Sequence, residues 1–278
     1  MDRALAALAQ AGWQPRLDRA ALRRRQRFAG SDDDRLAAFE RAAAQPAPIV
    51  MITRGGYGTT RLLPRLDFGR LAAAGKRWVG FSDFTAFQLA MLAQTGAVTW
   101  AGPALLDDFG AEAPDALTAD VFGEAMRGEL EALAFKCTGA PAGLDVRGTL
   151  WGGNLTVLCA LLGTPWFPRV DGGILFVEDV GEHPYRLERM LVQLLQAGVL
   201  DAQRAVLLGS FSRYRTVEHD AGYDLPAVLK WLRARTATPI VAGLPFGHGG
   251  PKLTLPHGAQ VGLAVEGRTA WLVLPHAH

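Results

Sequence analysis

The sequence predicts two α/β domains, an N-terminal one on a parallel, Rossmann-like sheet and a C-terminal one on a mixed sheet. Short apolar runs alternate with helical patterns through the first half, as parallel α/β layers require. A Gly-, Ala- and Pro-rich stretch without apolar period, CTGAPAGLDVRG, begins at residue 137 and divides the chain. At 278 residues the chain exceeds the usual size of one domain, and 49% hydrophobic against 20% charged residues leaves ample material for two cores. The expected boundaries are an N-terminal domain over 1–136, a connection over 137–149 and a C-terminal domain over 150–278.

In order, Leu5, Ala6, Leu8 and Ala9 recur at helical spacing before Gly12, which predicts a helix over 3–11. Ser31 and Asp32 to Asp34 cap a second helix over 33–44. PIVMIT at 48–53 is a short, continuous apolar run of the buried parallel-strand type, followed by a glycine turn and helical pieces near 59–66 and 68–74. Strands follow at 77–81 and 97–100, with helices at 84–94 and 114–127. Beyond the connection, NLTVLCALLG reads as a buried helix, GGILFVED and RAVLLGS as strands, and HPYRLERMLVQLLQAG as an amphipathic helix entered at Pro184. LPAVLKWLRAR, TPIVAG and a terminal hairpin, AQVGLAVEG with TAWLVL, complete the second unit.

Composition narrows the function. Twenty-nine Lys and Arg against 27 Asp and Glu give a net charge of +2, and only Arg23-Arg24-Arg25 forms a run, so no nucleic-acid footprint is indicated. Cys137 and Cys159 are too few and too distant for a zinc pattern or a disulfide framework, which fits a reducing compartment. The first residues lack the pattern of a signal peptide, and no apolar run approaches the length of a membrane span, so a soluble, cytoplasmic protein is expected.

Two strand-to-helix turns are placed where open α/β sheets form sites. TRGGYGTTR at 53–61 brings glycines whose backbone N–H groups suit a phosphate or a developing oxyanion, although neither GxxxxGK[ST] nor GxGxxG is present. A plain tight turn explains it equally. GFSD at 80–83 puts Ser82 at the second turn. A serine there is exposed to the positive potential of a helix start, which favours an attacking alkoxide. The esterase elbow GxSxG would need glycine where Phe84 stands, and as a bare pattern Ser82 reads as a helix cap.

An activated serine needs a base and an orienting carboxylate. Among six histidines, His276 and His278 fall in a tail, His219 in a polar stretch and His183 at a helix start, while His248 and His257 flank PKLTLP. His248, surrounded by glycines, is the stronger candidate, against a plain surface histidine. Glu178 ends the apolar run ILFVE, an unusual place for an unpaired acid. Asp179 and Glu182 compete but are explained by the following helix start. Arg186 and Arg189 on that helix bind an anionic group or form surface ion pairs.

Five blocks, RGGYGTTRLLP, GFSDFTAF, GGNLTVLCALLGTP, FVEDVGEHPYRLERML and PFGHGGPKLTLPHG, occur in order over roughly residues 54–258 and together resemble the LD-carboxypeptidase family, which includes the microcin C self-immunity proteins. The resemblance implies Ser82 as nucleophile, Glu178 and His248 as its partners, and oxyanion donors at the N–H groups of Gly56 and Asp83. It further implies hydrolysis of the amide between an L-centre, lysine or diaminopimelate, and a terminal D-alanine in murein tetrapeptides, during peptidoglycan recycling. No metal or organic cofactor is expected. Arg54 and Arg186 are candidates for a substrate carboxylate, and a homodimer acting on murein peptide, without nucleic acid or membrane, is implied. Alternatives are an acyl-nucleotide detoxifying amidase, a non-catalytic muropeptide-binding homologue and a phosphate-binding enzyme using RGGYG. Family members begin with an apolar strand ahead of the first helix. This sequence starts inside that helix, which implies a strand at 48–53 short of partners and cover and a less stable N-terminal layer.

Overall fold

The computed structural model describes residues 1–274, so His276 and His278 lie outside the described residues. The elements are α1 (Asp2–Gln10), α2 (Asp32–Ala44), β1 (Ile49–Met51), α3 (Phe68–Ala73), β2 (Arg77–Gly80), α4 (Thr85–Thr95), β3 (Thr99–Ala101) and α5 (Ala116–Arg127). They continue with β4 (Ala132–Lys136), β5 (Asp145–Asn154), α6 (Leu155–Leu161), β6 (Ile174–Val180), α7 (Pro184–Gln196), β7 (Ala205–Ser212), α8 (Leu225–Arg233), β8 (Ile240–Ala242), β9 (Leu255–His257), β10 (Gln260–Glu266) and β11 (Thr269–Val273).

Two sheets result. The first has the order β1-β2-β3-β9, with β1, β2 and β3 parallel and β9 antiparallel to β3. The second has the order β4-β11-β10-β5-β6-β7-β8; its first half is antiparallel and its second half, from β5 to β8, parallel. This is the two-part α/β architecture, with its mixed C-terminal sheet, that the sequence predicts.

The expected boundaries need correction. Ala132–Lys136, assigned to the N-terminal domain, pairs with β11 in the second sheet. Residues 145–148, assigned to a connection, are the start of β5 and pair with β10. Leu255–His257, assigned to the C-terminal domain, crosses back to close the first sheet against β3. Backbone pairing across a sheet edge outweighs local composition, so glycines at 139, 143 and 148 sit in a turn and a strand, not in a tether.

β1 is half-buried at all three positions and forms one edge of its sheet among the described residues. Ile49 and Met51 rest on a cluster that contains Ala4 and Leu8 of α1, Val79, Phe109 and Phe122. α2 begins with a complete capping box between Ser31 and Asp34, as its sequence indicates.

The main core is shared by both halves. Phe84, Phe87, Leu89 and Met91 of the α4 region pack in one cluster with Trp151, Leu155, Leu158, Leu175 and Val177. α4, with a run of seven buried residues, Thr85 to Met91, is therefore the slab between the two sheets. Among the described residues, no helix is long and apolar enough to cross a membrane.

Candidate active site

The C-terminal ends of β2 and β6 and the loop before β9 converge on one cleft. Three glycine- or bulge-dependent turns create it. At the end of β2 the backbone passes through Phe81 into a tight 3-10 turn, Ser82–Phe84, that leads directly into α4. Ser82 holds a left-handed φ of 61°, sparsely populated by non-glycine residues and common where a site stores strain. The residue at the cap position is Phe81, and no side chain caps this turn or α4. The reading of Ser82 as a helix cap is thereby corrected: its hydroxyl is turned to the cleft instead.

His248 lies in the loop between β8 and β9. Its Nε2 is 3.0 Å from Ser82 Oγ and its Nδ1 2.7 Å from Glu178 Oε2. Glu178 is fully buried, on β6. Opposite it the β6–β7 register slips, Val177 facing Leu208 but Asp179 facing Phe211, so Gly209 and Ser210 together oppose Glu178. A bulge of this kind re-aims side chains beside a site. It depends on Gly209, where a Cβ would sit 2.4 Å from the Phe246 carbonyl oxygen. The remaining Glu178 oxygen accepts from Asn154 Nδ2 at 3.2 Å, on the neighbouring strand. A buried carboxylate with a partner at each oxygen is the arrangement that makes its burial tolerable.

Asp179 and Glu182, the competing acids, are otherwise engaged. Asp179 accepts from Thr156 N–H at 2.9 Å, Thr156 Oγ1 at 2.7 Å and Val180 N–H at 2.8 Å. Burial pushes its carboxyl above the usual range, with the Thr156 and backbone hydrogen bonds opposing. Glu182 pairs with Arg186 at 3.6 Å.

The glycine turn faces the serine. A Cβ on Gly55 would stand 2.8 Å from Ser82 Cβ, 2.9 Å from its Oγ and 3.9 Å from the Asp83 backbone nitrogen, so only glycine lets the two turns meet. Gly56, at φ 130°, lines the same cleft. The Asp83 carboxylate is turned away from the reacting groups. It accepts from Thr59 N–H at 2.8 Å and Thr59 Oγ1 at 2.7 Å, tying the glycine turn to the serine turn.

The cleft encloses about 790 Å³; its charged lining consists of Arg54, Asp107, Asp108, Asp115, Arg213 and Lys252, and His248 opens onto it. Arg54 lines the cleft. Arg186 does not line the cleft: it is exposed on α7, its guanidinium 5.9 Å from the Tyr185 ring, and engaged with Glu182. Arg213 and Lys252 are additions that sequence reasoning did not single out. Arg213 directly follows β7, and a position just past a parallel strand was the signal available. His183 is bound to Asp220 at 3.0 Å and His257 is fully buried on β9. Among the described residues no cluster of three or more His, Cys, Asp or Glu side chains is arranged to hold a metal ion.

Chemically, an imidazole between a buried carboxylate and a serine hydroxyl removes that hydroxyl's proton as it attacks a carbonyl. Residues 1–102 match the LD-carboxypeptidase N-terminal domain and residues 147–263 the LD-carboxypeptidase C-terminal domain. The probable murein peptide carboxypeptidase of Bacillus subtilis (strain 168) is 32% identical over 275 residues, 97% of this chain and 86% of its own length. The crystal structure of the muramoyltetrapeptide carboxypeptidase of Oxalobacter formigenes superposes with a TM-score of 0.91 at 44% identity, covering 99% of this chain and 95% of the other. The microcin C7 self-immunity protein of Escherichia coli is 28% identical over 79% of this chain and 72% of its own. By both of its domains and by a relative aligned along nearly its whole length, the chain belongs to the LD-carboxypeptidase family.

Proposed function

We propose that this chain is a serine carboxypeptidase that removes the terminal D-alanine of murein tetrapeptides by cleaving its amide bond to an L-centre, lysine or diaminopimelate. The observation that carries the reading is the Ser82–His248–Glu178 relay, with contacts of 3.0 and 2.7 Å at the two imidazole nitrogens. Glu178 accepts from the Nδ1 hydrogen, which leaves Nε2 free to take the Ser82 proton. Ser82 Oγ attacks the amide carbonyl, and the proton passes through Nε2 to the departing D-alanine nitrogen. Water, activated by the same nitrogen, then releases the acyl group. The N–H groups of Gly56 and Asp83 are the proposed oxyanion donors, each contributing about 3 kcal/mol at the transition state. Arg54 and Arg213 offer the substrate carboxylate a charged partner.

Peptide is favoured over acyl-nucleotide by identity over the aligned structures, 44% to the muramoyltetrapeptide enzyme against 24% to the microcin protein. A cytoplasmic place in peptidoglycan recycling belongs to the same reading; two free, buried cysteines fit a reducing compartment. A homodimer is proposed as well, to be checked by sedimentation. The test of function is direct: the protein is incubated with murein tetrapeptide and free D-alanine is measured. Release is expected from the wild type and not from Ser82→Ala, and a serine-directed fluorophosphonate should label only the former. D-alanine release that survives Ser82→Ala would sink the assignment.

A further inference from the structure

His248 stands in a segment that does little to hold it. Gly247, Gly249 and Gly250 have φ values of 136°, 115° and 81°, and a Cβ on either of the last two meets nothing within 4 Å. Such a loop needs an anchor on each side of the histidine. On one side Ser210 N–H donates to the Phe246 carbonyl at 2.8 Å, and Ser212 Oγ to the His248 carbonyl at 2.5 Å. These bonds tie the loop only to β7, on the half of the molecule that carries Glu178.

The other anchor reaches the half that carries Ser82. Lys252 is buried, 3% exposed, although it carries an ammonium. Its backbone N–H donates to Thr118 Oγ1 on α5 at 2.8 Å. Its Nζ is 2.9 Å from both carboxylate oxygens of Asp108, whose Oδ2 also accepts from Ala104 N–H at 2.8 Å. The same Nζ lies 3.3 Å from the centre of the Phe81 ring, and that ring lies 4.9 Å from the imidazole of His248. Phe81 is the residue before the serine. One ammonium thus touches the turn that bears Ser82 and terminates the loop that bears His248.

Resting on the serine-hydrolase reading above, we propose that Lys252, clamped by Asp108, is a positioning residue for acyl transfer: it fixes the His248 loop against the Phe81–Ser82 turn. A direct role in binding the substrate carboxylate is disfavoured, because both Asp108 oxygens already neutralise the ammonium. Buried ion pairs contribute little net stability but hold two elements in one register. Here the register is the separation between nucleophile and base, and misplacement of such groups by about 1 Å costs on the order of 10²-fold in rate.

The experiment compares Lys252→Met, Lys252→Arg and the double variant Lys252→Met with Asp108→Leu. Three quantities are read: Tm, kcat and KM for D-alanine release, and the rate at which a fluorophosphonate phosphonylates Ser82 with loss of fluoride. Lys252→Met should lower kcat and the phosphonylation rate together, on the order of 10²-fold, with KM nearly unchanged. Lys252→Arg should restore most of both. The double variant removes the uncompensated carboxylate, so its Tm should recover while kcat stays low. Recovery of kcat along with Tm, or a loss confined to KM, would overturn the proposal in favour of a stability role or a substrate contact. Should Lys252→Met fail to fold, the double variant carries the same comparison. If the wild type is phosphonylated but releases no D-alanine, the substrate reading fails while the phosphonylation rates still decide the role of Lys252. A wild type that is not phosphonylated overturns both.

Discussion

At Ser82, local economy and chemistry pull in opposite directions. A Ser-Asp pair at a strand-to-helix turn is ordinarily a cap, yet here the serine takes a φ of 61° and gives its hydroxyl to His248. Spacing alone could not reveal this, because Phe84 replaces the second glycine of the esterase elbow; the opposing glycine, Gly55, sits on a different turn. Gly55→Ala should therefore lower Ser82 labelling by on the order of 10²-fold without loss of folding, since its Cβ would stand 2.9 Å from Ser82 Oγ. The two neighbouring acids are separable by the same assay. Glu178→Gln should cost on the order of 10³- to 10⁴-fold in kcat, as the imidazole loses its orienting charge. Asp179→Asn should leave kcat within a few-fold, because Asp179 serves Thr156, Val180 and Asn154 and does not touch His248. Loss of activity in the second and not the first would reverse the assignment.

Among the elements, those with strong period or length were legible and those made by pairing were not. α7, α8 and the terminal hairpin follow from their apolar patterns, and β6 from its continuous run. β4 alternates exposed and buried side chains over only five residues, and it sits beside the glycine-rich stretch that suggested a connection. β9 contains Pro256, which argues against a strand unless the strand lies at an edge, and an edge is where it lies. Its His257 was passed over as chemistry and acquires a structural consequence instead. Full burial pushes the imidazole down to about 3, with backbone groups of His257 and Gly152 offsetting part of the effect. Above about pH 6.5 the histidine is neutral in folded and unfolded chains alike, and its contribution is level. Below that value the unfolded chain binds a proton that the folded chain refuses, so stability falls as pH drops toward the folded value, by up to about 1.4 kcal/mol per pH unit. His257→Leu removes this linkage. Between about pH 7.5 and pH 5 the variant should lose up to about 2 kcal/mol less unfolding free energy than the wild type, measured by urea titration at each pH. Equal losses would show that the imidazole is not held neutral.

For the whole molecule, a site divided between two halves works only while the halves keep their mutual placement. A chain of this length with two sheets would ordinarily be expected to unfold in steps. Three features oppose that expectation. β9 carries C-terminal chain into the first sheet, the Lys252–Asp108 pair crosses between the halves, and α4 shares one apolar cluster with β5, α6 and β6. Phe87 is the centre of that cluster: it is fully buried, and its ring lies 4.8 Å from Phe84, 5.1 Å from Phe39 and 5.4 Å from Trp78. Phe87→Ala should cost about 3–5 kcal/mol. If the core is one cooperative unit, far-ultraviolet circular dichroism, tryptophan fluorescence and fluorophosphonate labelling of Ser82 should report a single urea midpoint in the wild type. All three should shift together in the variant, because the side chain that is lost supports both halves at once. Labelling that disappears at lower urea than the secondary structure would mean instead that the halves part before they unfold, and that the clamp at Lys252, not the shared core, sets the integrity of the site.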